Sequence, residues 1–122
     1  MMKPAPRLTV EEKREGPDRI LKLQGTADIL GLPTLQDLFA RLSKEDIRLL
    51  VIDLSATGFI NSPVWAVITL YARRPANPTR VAIVGMPDRI RGSFEMMGLQ
   101  RELRTYPSVE AARQDLGLQA EE

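Results

Sequence analysis

The chain has 122 residues, 43% hydrophobic and 27% charged, which is the length and balance of one soluble globular domain with room for a real core. Its 17 basic and 16 acidic residues leave a net charge of +1, so no global field draws it to nucleic acid or to an anionic membrane. It has no cysteine and no histidine, which excludes disulfides and thiolate sites and removes the usual metal ligand and the usual base near neutral pH; no metal, no cofactor and no catalytic residue is expected.

Taken in order, residues 1–7 read as a loose, proline-containing lead without the apolar stretch of a signal peptide. Residues 8–12 suit a short edge strand and residues 13–18 a polar turn punctuated by Gly16 and Pro17. Partial alternation over residues 19–24 predicts a second strand with one exposed face, completing a hairpin. Residues 25–28 break it. A helix then starts at Pro33 or Thr34, with Leu35, Leu38, Phe39 and Leu42 at the i, i+3, i+4, i+7 positions of an inward face.

Residues 49–54 form a continuous apolar run around Asp53, as a central strand covered on both faces requires, and residues 80–85 look like its neighbour. Between them a short loop leads to Asn61, Ser62 and Pro63. Ser62 is the expected N-cap and Pro63 the first helical residue of a helix reaching about Arg74. Strand, helix and strand make a crossover, which demands a parallel pair. Met86, Pro87 and Asp88 open a further helix through about Met97 with Gly98 as its stop. Residues 103–106 form a short last strand, Ser108 begins a terminal helix through Leu116, and residues 118–122 are a tail. The longest apolar run, from Val64 to Leu70 and broken by Thr69, is far short of the ~20 residues that cross a bilayer; no membrane insertion and a cytoplasmic location are expected.

The expected fold is therefore α/β: a single domain over residues 8–117, with a four- to five-stranded mixed sheet, an N-terminal hairpin plus parallel strands, and about four helices. The order and several motifs resemble the STAS domain family, that of sulfate-transporter cytoplasmic domains and bacterial anti-sigma factor antagonists. That family writes a hydrophobic strand, Asp-Leu-Ser, then Phe-x-Asp-Ser-Ser-Gly before an apolar helix. Here Asp53, Leu54, Ser55, Phe59, Ile60 and Ser62 match, while Asn61 replaces the Asp, Pro63 the second Ser and Val64 the Gly. Gly25 to Asp28 sits where the family has Gly-x-Leu-Asp, and Val84 to Leu99 and Tyr106 to Ala112 look like its third and fourth strand-and-helix segments.

The resemblance implies a non-catalytic protein-binding domain of the anti-sigma factor antagonist type, working by partner switching in bacterial signal transduction and transcription regulation. Its partner would be an anti-sigma factor or serine kinase-like protein, and its contact surface Asp28, Asn61, Ser62, Pro63, Val64 and Trp65. In the family's switching members the second hydroxyl residue accepts phosphate. Proline cannot, so no phosphorylation is expected there, with Ser62 as the alternative acceptor. A structural role is the second reading: a subunit of a stressosome-like or transporter-associated assembly, contacting other STAS or transporter subunits or a second copy of itself.

Plain structural readings stand beside these. Ser62 caps a helix, Asp28 closes a turn, and Asn61 holds its loop. Trp65 is either an exposed anchor or part of the core. Arg73, Arg74, Arg80, Arg89 and Arg91 read as solvated surface, with too few aromatics for a nucleic-acid interface. An enzyme would need Asp28, Asp53 and Asn61 to gather at the strand ends.

Overall fold

The computed structural model describes residues 7–119. Most of the expected lead, residues 1–6, and the end of the expected tail, residues 120–122, lie outside the described residues.

A hairpin of β1 (Thr9–Glu15) and β2 (Asp18–Ala27) opens the fold. It is followed by α1 (Leu32–Leu42), β3 (Leu49–Ile60), α2 (Ser62–Ala72) and β4 (Arg80–Val84). Then come α3 (Asp88–Met96), a 3-10 turn (Leu99–Arg101), β5 (Arg104–Tyr106) and α4 (Val109–Leu116). The five strands lie side by side in chain order. β1 and β2 are antiparallel and the remaining pairs are parallel, because each later strand is reached through a helical crossover. The hairpin closes with Glu15 opposite Asp18, and Gly16 takes the positive φ of +59° that a two-residue loop demands.

Both central strands run past their expected ends. β2 continues through Gly25 and Thr26 to Ala27, and β3 continues through Thr57 and Gly58 to Ile60, pairing Gln24 with Ala56 and Ala27 with Ile60. Glycine and threonine here serve bulges rather than a chain break. The register shifts between Lys22 and Gln24 and between Gly25 and Thr26. Gly25 has φ +90°, and the buried Thr57 hydroxyl donates to the Leu23 carbonyl at 2.6 Å. The expected loop before Asn61 is thus paired strand.

β3 is covered on both faces, as its unbroken apolar run requires. Leu50, Ile52 and Leu54 join Leu21, Leu23, Leu35, Phe39, Ile68, Tyr71 and Phe94 in the main core under α1, α2 and α3. Leu49 and Val51 face the other way, joining Ala82, Val84 and Ala112 beneath α4. Leu118, placed in the tail by sequence, packs against this second cluster.

The start of β2 carries a buried charge. Asp18 is 0% exposed and accepts from Arg48 Nε at 2.9 Å, Arg48 Nη2 at 2.7 Å and Arg113 Nε at 3.2 Å. Arg113, on α4, reaches on to Glu15 at 2.7 Å. This bond, with a further contribution from Lys13, holds the Glu15 carboxyl below the ordinary glutamate range. A lowered folded value means that Glu15 contributes stability in full above the unfolded glutamate pKa and loses it as the pH falls through the folded one. Glu15→Gln is expected to flatten this part of the acid limb of stability against pH, measured by urea melts from neutral pH downward.

Candidate functional site

The bulged ends of β2 and β3 bring Ala27 beside Ile60, which sets the following residues, Asp28 and Asn61, on one edge of the sheet. The Asn61 amide donates to the Ala27 carbonyl at 3.1 Å and ties the two strand ends together. Asp28 takes its turn role: its carboxylate accepts from the Leu30 amide at 3.0 Å, and its carbonyl from Gly31 at 3.1 Å. Ile29 and Leu30 project from that turn, 60% and 83% exposed.

The helix cap differs from expectation by one residue. Asn61, with φ −93° and ψ 169°, is the N-cap of α2, and its side-chain oxygen accepts from the Val64 amide at 3.3 Å. The extended backbone needed at a cap falls on the last residue of the strand exit, so Ser62 is already helical and Pro63 follows it inside the first turn. Ser62 and Pro63 are both exposed. Among the described residues the Ser62 hydroxyl makes no hydrogen bond, so the cap role expected of it belongs to Asn61. Asn61→Ala is expected to lower stability by about 1 kcal/mol, and Ser62→Ala to leave it nearly unchanged, in paired chemical melts.

Of the expected contact residues, Val64 and Trp65 are core, which for Trp65 is the second of its two readings. Val64 is 0% and Trp65 1% exposed, with the Trp65 ring 5.3 Å from that of Phe94. Both side chains pack into the main core, Trp65 against Phe94, and Trp65 also forms part of the wall of a surface groove between α2 and α3. The apolar surface comes from elsewhere. Phe59, 50% exposed, and Met97, 44% exposed, line an open groove of about 430 Å³ with Asn61, Ser62, Arg89 and Ser93. Ser62 and Met97 also border a second groove of about 340 Å³ between α2 and α3, lined by Ala66 and Leu70, the latter 67% exposed. Phe59 was legible as a motif residue but not as surface. Met97 follows Phe94 by three positions, a spacing that predicts core, yet α3 ends at Met96 and the chain turns through Gly98 at φ +74°.

The arginines do not form one patch. Arg73 pairs with Glu102, while Arg74 lies 4.0 Å above the Tyr71 ring and bonds Asn77 at 2.6 Å. The carboxylates do not converge either: Asp53 accepts from the Ser55 amide at 2.9 Å and stands in register with Lys22, well back from the edge that holds Asp28 and Asn61. Among the described residues no group of three or more acidic side chains is placed to hold a metal ion, and no helix is long and apolar enough to cross a membrane.

An open mixed sheet with an N-terminal hairpin, whose strand ends lead through a capped turn into an apolar helix, defines an α/β domain with its surface features at one sheet edge. Residues 9–112 match the STAS domain family, and the chain belongs to it. Its fold is shared with an anti-sigma factor antagonist from Mycobacterium paratuberculosis, at 20% identity and TM-score 0.82 over 91% of this chain and 95% of that one. It is likewise similar to the anti-sigma factor antagonist SpoIIAA in its unphosphorylated form, at 12% identity and TM-score 0.71, over 91% and 99% of the two chains. RsbS from Moorella thermoacetica matches at 18% identity and TM-score 0.71, over 88% and 94%. No curated protein matches the chain in sequence.

Proposed function

We propose that this STAS domain is a non-catalytic binding module of the anti-sigma factor antagonist type, which docks on an anti-sigma factor or serine kinase-like partner without a phosphorylation switch at the usual position. The observation that carries the reading is Pro63, exposed in the first turn of α2; by the motif resemblance this is the position at which switching members of the family carry the phosphoacceptor hydroxyl. Beside it, Phe59 and Met97 line an open apolar groove among the described residues. Asp28, Asn61 and Ser62 supply the polar margin of that edge, whereas Val64 and Trp65 support it from beneath. With no acceptor at position 63, control would come from synthesis and competition rather than from the −1.5 to −2 charges that a phosphate adds.

The test is capture of partners from native cells with wild-type, Phe59→Asp and Pro63→Ser baits, read by mass spectrometry with phosphosite mapping. Recovery of an ATP-binding anti-sigma kinase, weakened about tenfold or more by Phe59→Asp, is expected. Pro63→Ser should make that binding ATP-sensitive, with phosphate on the introduced hydroxyl. Phosphate on Ser62 of the wild-type chain would overturn the constitutive reading. Recovery of only transporter or sensor subunits, or of the chain itself, would move the domain to a structural role in a larger assembly.

A further inference from the structure

The two methionines that end α3 are unlike the third described one. Met96 is 88% and Met97 44% exposed, whereas Met86 is 8% exposed within the main core. Met97 borders both grooves, the one lined by Phe59 and the one lined by Leu70. The chain has no cysteine to compete for an oxidant. Methionine sulfur reacts in proportion to its access, and the sulfoxide is a polar, chiral group that an apolar contact surface does not accommodate.

We infer that Met97, with the exposed Met96 beside it, is an oxidation site, and that its sulfoxide polarises the docking groove, so that a peroxide turns the surface off and a sulfoxide reductase turns it back on. The regulatory half rests on the docking reading above. The chemistry is one oxygen-atom transfer: a sulfur lone pair attacks a hydrogen peroxide oxygen, the O–O bond breaks, the S–O bond forms and water leaves. Sulfur loses two electrons and the peroxide gains them. Reversal consumes a dithiol, which becomes a disulfide as water is released again. Because a docked partner would cover Met97, the site acts on the free domain.

The folded protein is treated with graded hydrogen peroxide and digested with trypsin, which places Met96 and Met97 in residues 92–101 and Met86 in residues 81–89. Sulfoxide at Met96 and Met97 is expected to form about tenfold faster than at Met86. The apolar surface is followed with the dye 1-anilinonaphthalene-8-sulfonate, whose fluorescence with the native domain should fall several-fold on oxidation. It should return with sulfoxide reductase and dithiothreitol, and the Met96→Leu/Met97→Leu variant, compared with its own untreated signal, should show no fall on peroxide treatment. Equal oxidation of Met86, or a dye signal that oxidation leaves unchanged, would overturn the inference. Phe59→Asp separates the two levels. If it leaves the dye signal of the unoxidised protein intact, the groove reading fails, while the sulfoxide map stands or falls on its own.

Discussion

Trp65→Ala is expected to lower the folding stability of this domain by about 3–5 kcal/mol, the loss typical of emptying a large buried aromatic site. Trp65 is 1% exposed, packs against Phe94 with the rings tilted at 58°, and sits in the same cluster as Ile68, Leu54 and Met86. Among the described residues its indole Nε1 is buried with no hydrogen-bond partner, so replacement by another ring gives up packing and no polar bond. Trp65→Phe should therefore cost only about 1–1.5 kcal/mol. Urea melts of both variants check the pair. The distinction bears on function, because an exposed anchor would reverse the pattern: Trp65→Ala would leave stability nearly untouched and abolish binding. Here any loss of binding by Trp65→Ala should follow the folded fraction, and low temperature should restore it. Phe59→Asp, which alters the exposed rim, should keep its loss of binding in the fully folded protein.

That contrast marks where the sequence was sufficient and where it was not. The element order, the hairpin, the doubly covered β3 and the stop at Gly98 follow from periodicity and local backbone chemistry, which act within a few residues. Asp28 and Asn61 were expected on one surface only through the family resemblance, and the parallel pairing of β2 with β3 is what sets them side by side. The last residues of β2 and β3 were not legible, since Gly25 and Gly58 disfavour strand and become strand only when each bulged segment finds the other. The cap moved from Ser62 to Asn61 for the same reason, as the longer strand delivers its extended backbone one residue sooner than the hydroxyl suggested. Trp65, Val64 and Met97 needed a tertiary fact. An all-round apolar helix does not say which of its residues faces a neighbouring helix, and here α3 covers Trp65 but turns away before Met97.

At the opposite end of the sheet from the groove, Asp18→Ala is expected to be nearly as damaging as loss of the tryptophan, at about 3 kcal/mol, because it removes the buried carboxylate that two guanidinium groups share. Asp18 joins three elements: β2, which carries it, the start of β3 through Arg48, and α4 through Arg113. The two arginines are not equivalent. Arg48 takes both carboxylate oxygens and also bonds the Gln119 carbonyl at 2.7 Å, whereas Arg113 divides itself between Asp18 and Glu15. Arg113→Met leaves Asp18 its two-point Arg48 partner and keeps an aliphatic stem against the sheet, so the loss should be nearer about 1–2 kcal/mol. The double variant should fall well short of the sum, since Asp18→Ala already removes part of what Arg113 contributes. Chemical melts of the wild type, both single variants and the double variant complete the cycle; equal single losses that add would show that Arg113 packs α4 without help from its charge. Neither substitution touches Phe59, Asn61 or Met97, so binding at the far edge should persist in whatever fraction of each variant remains folded.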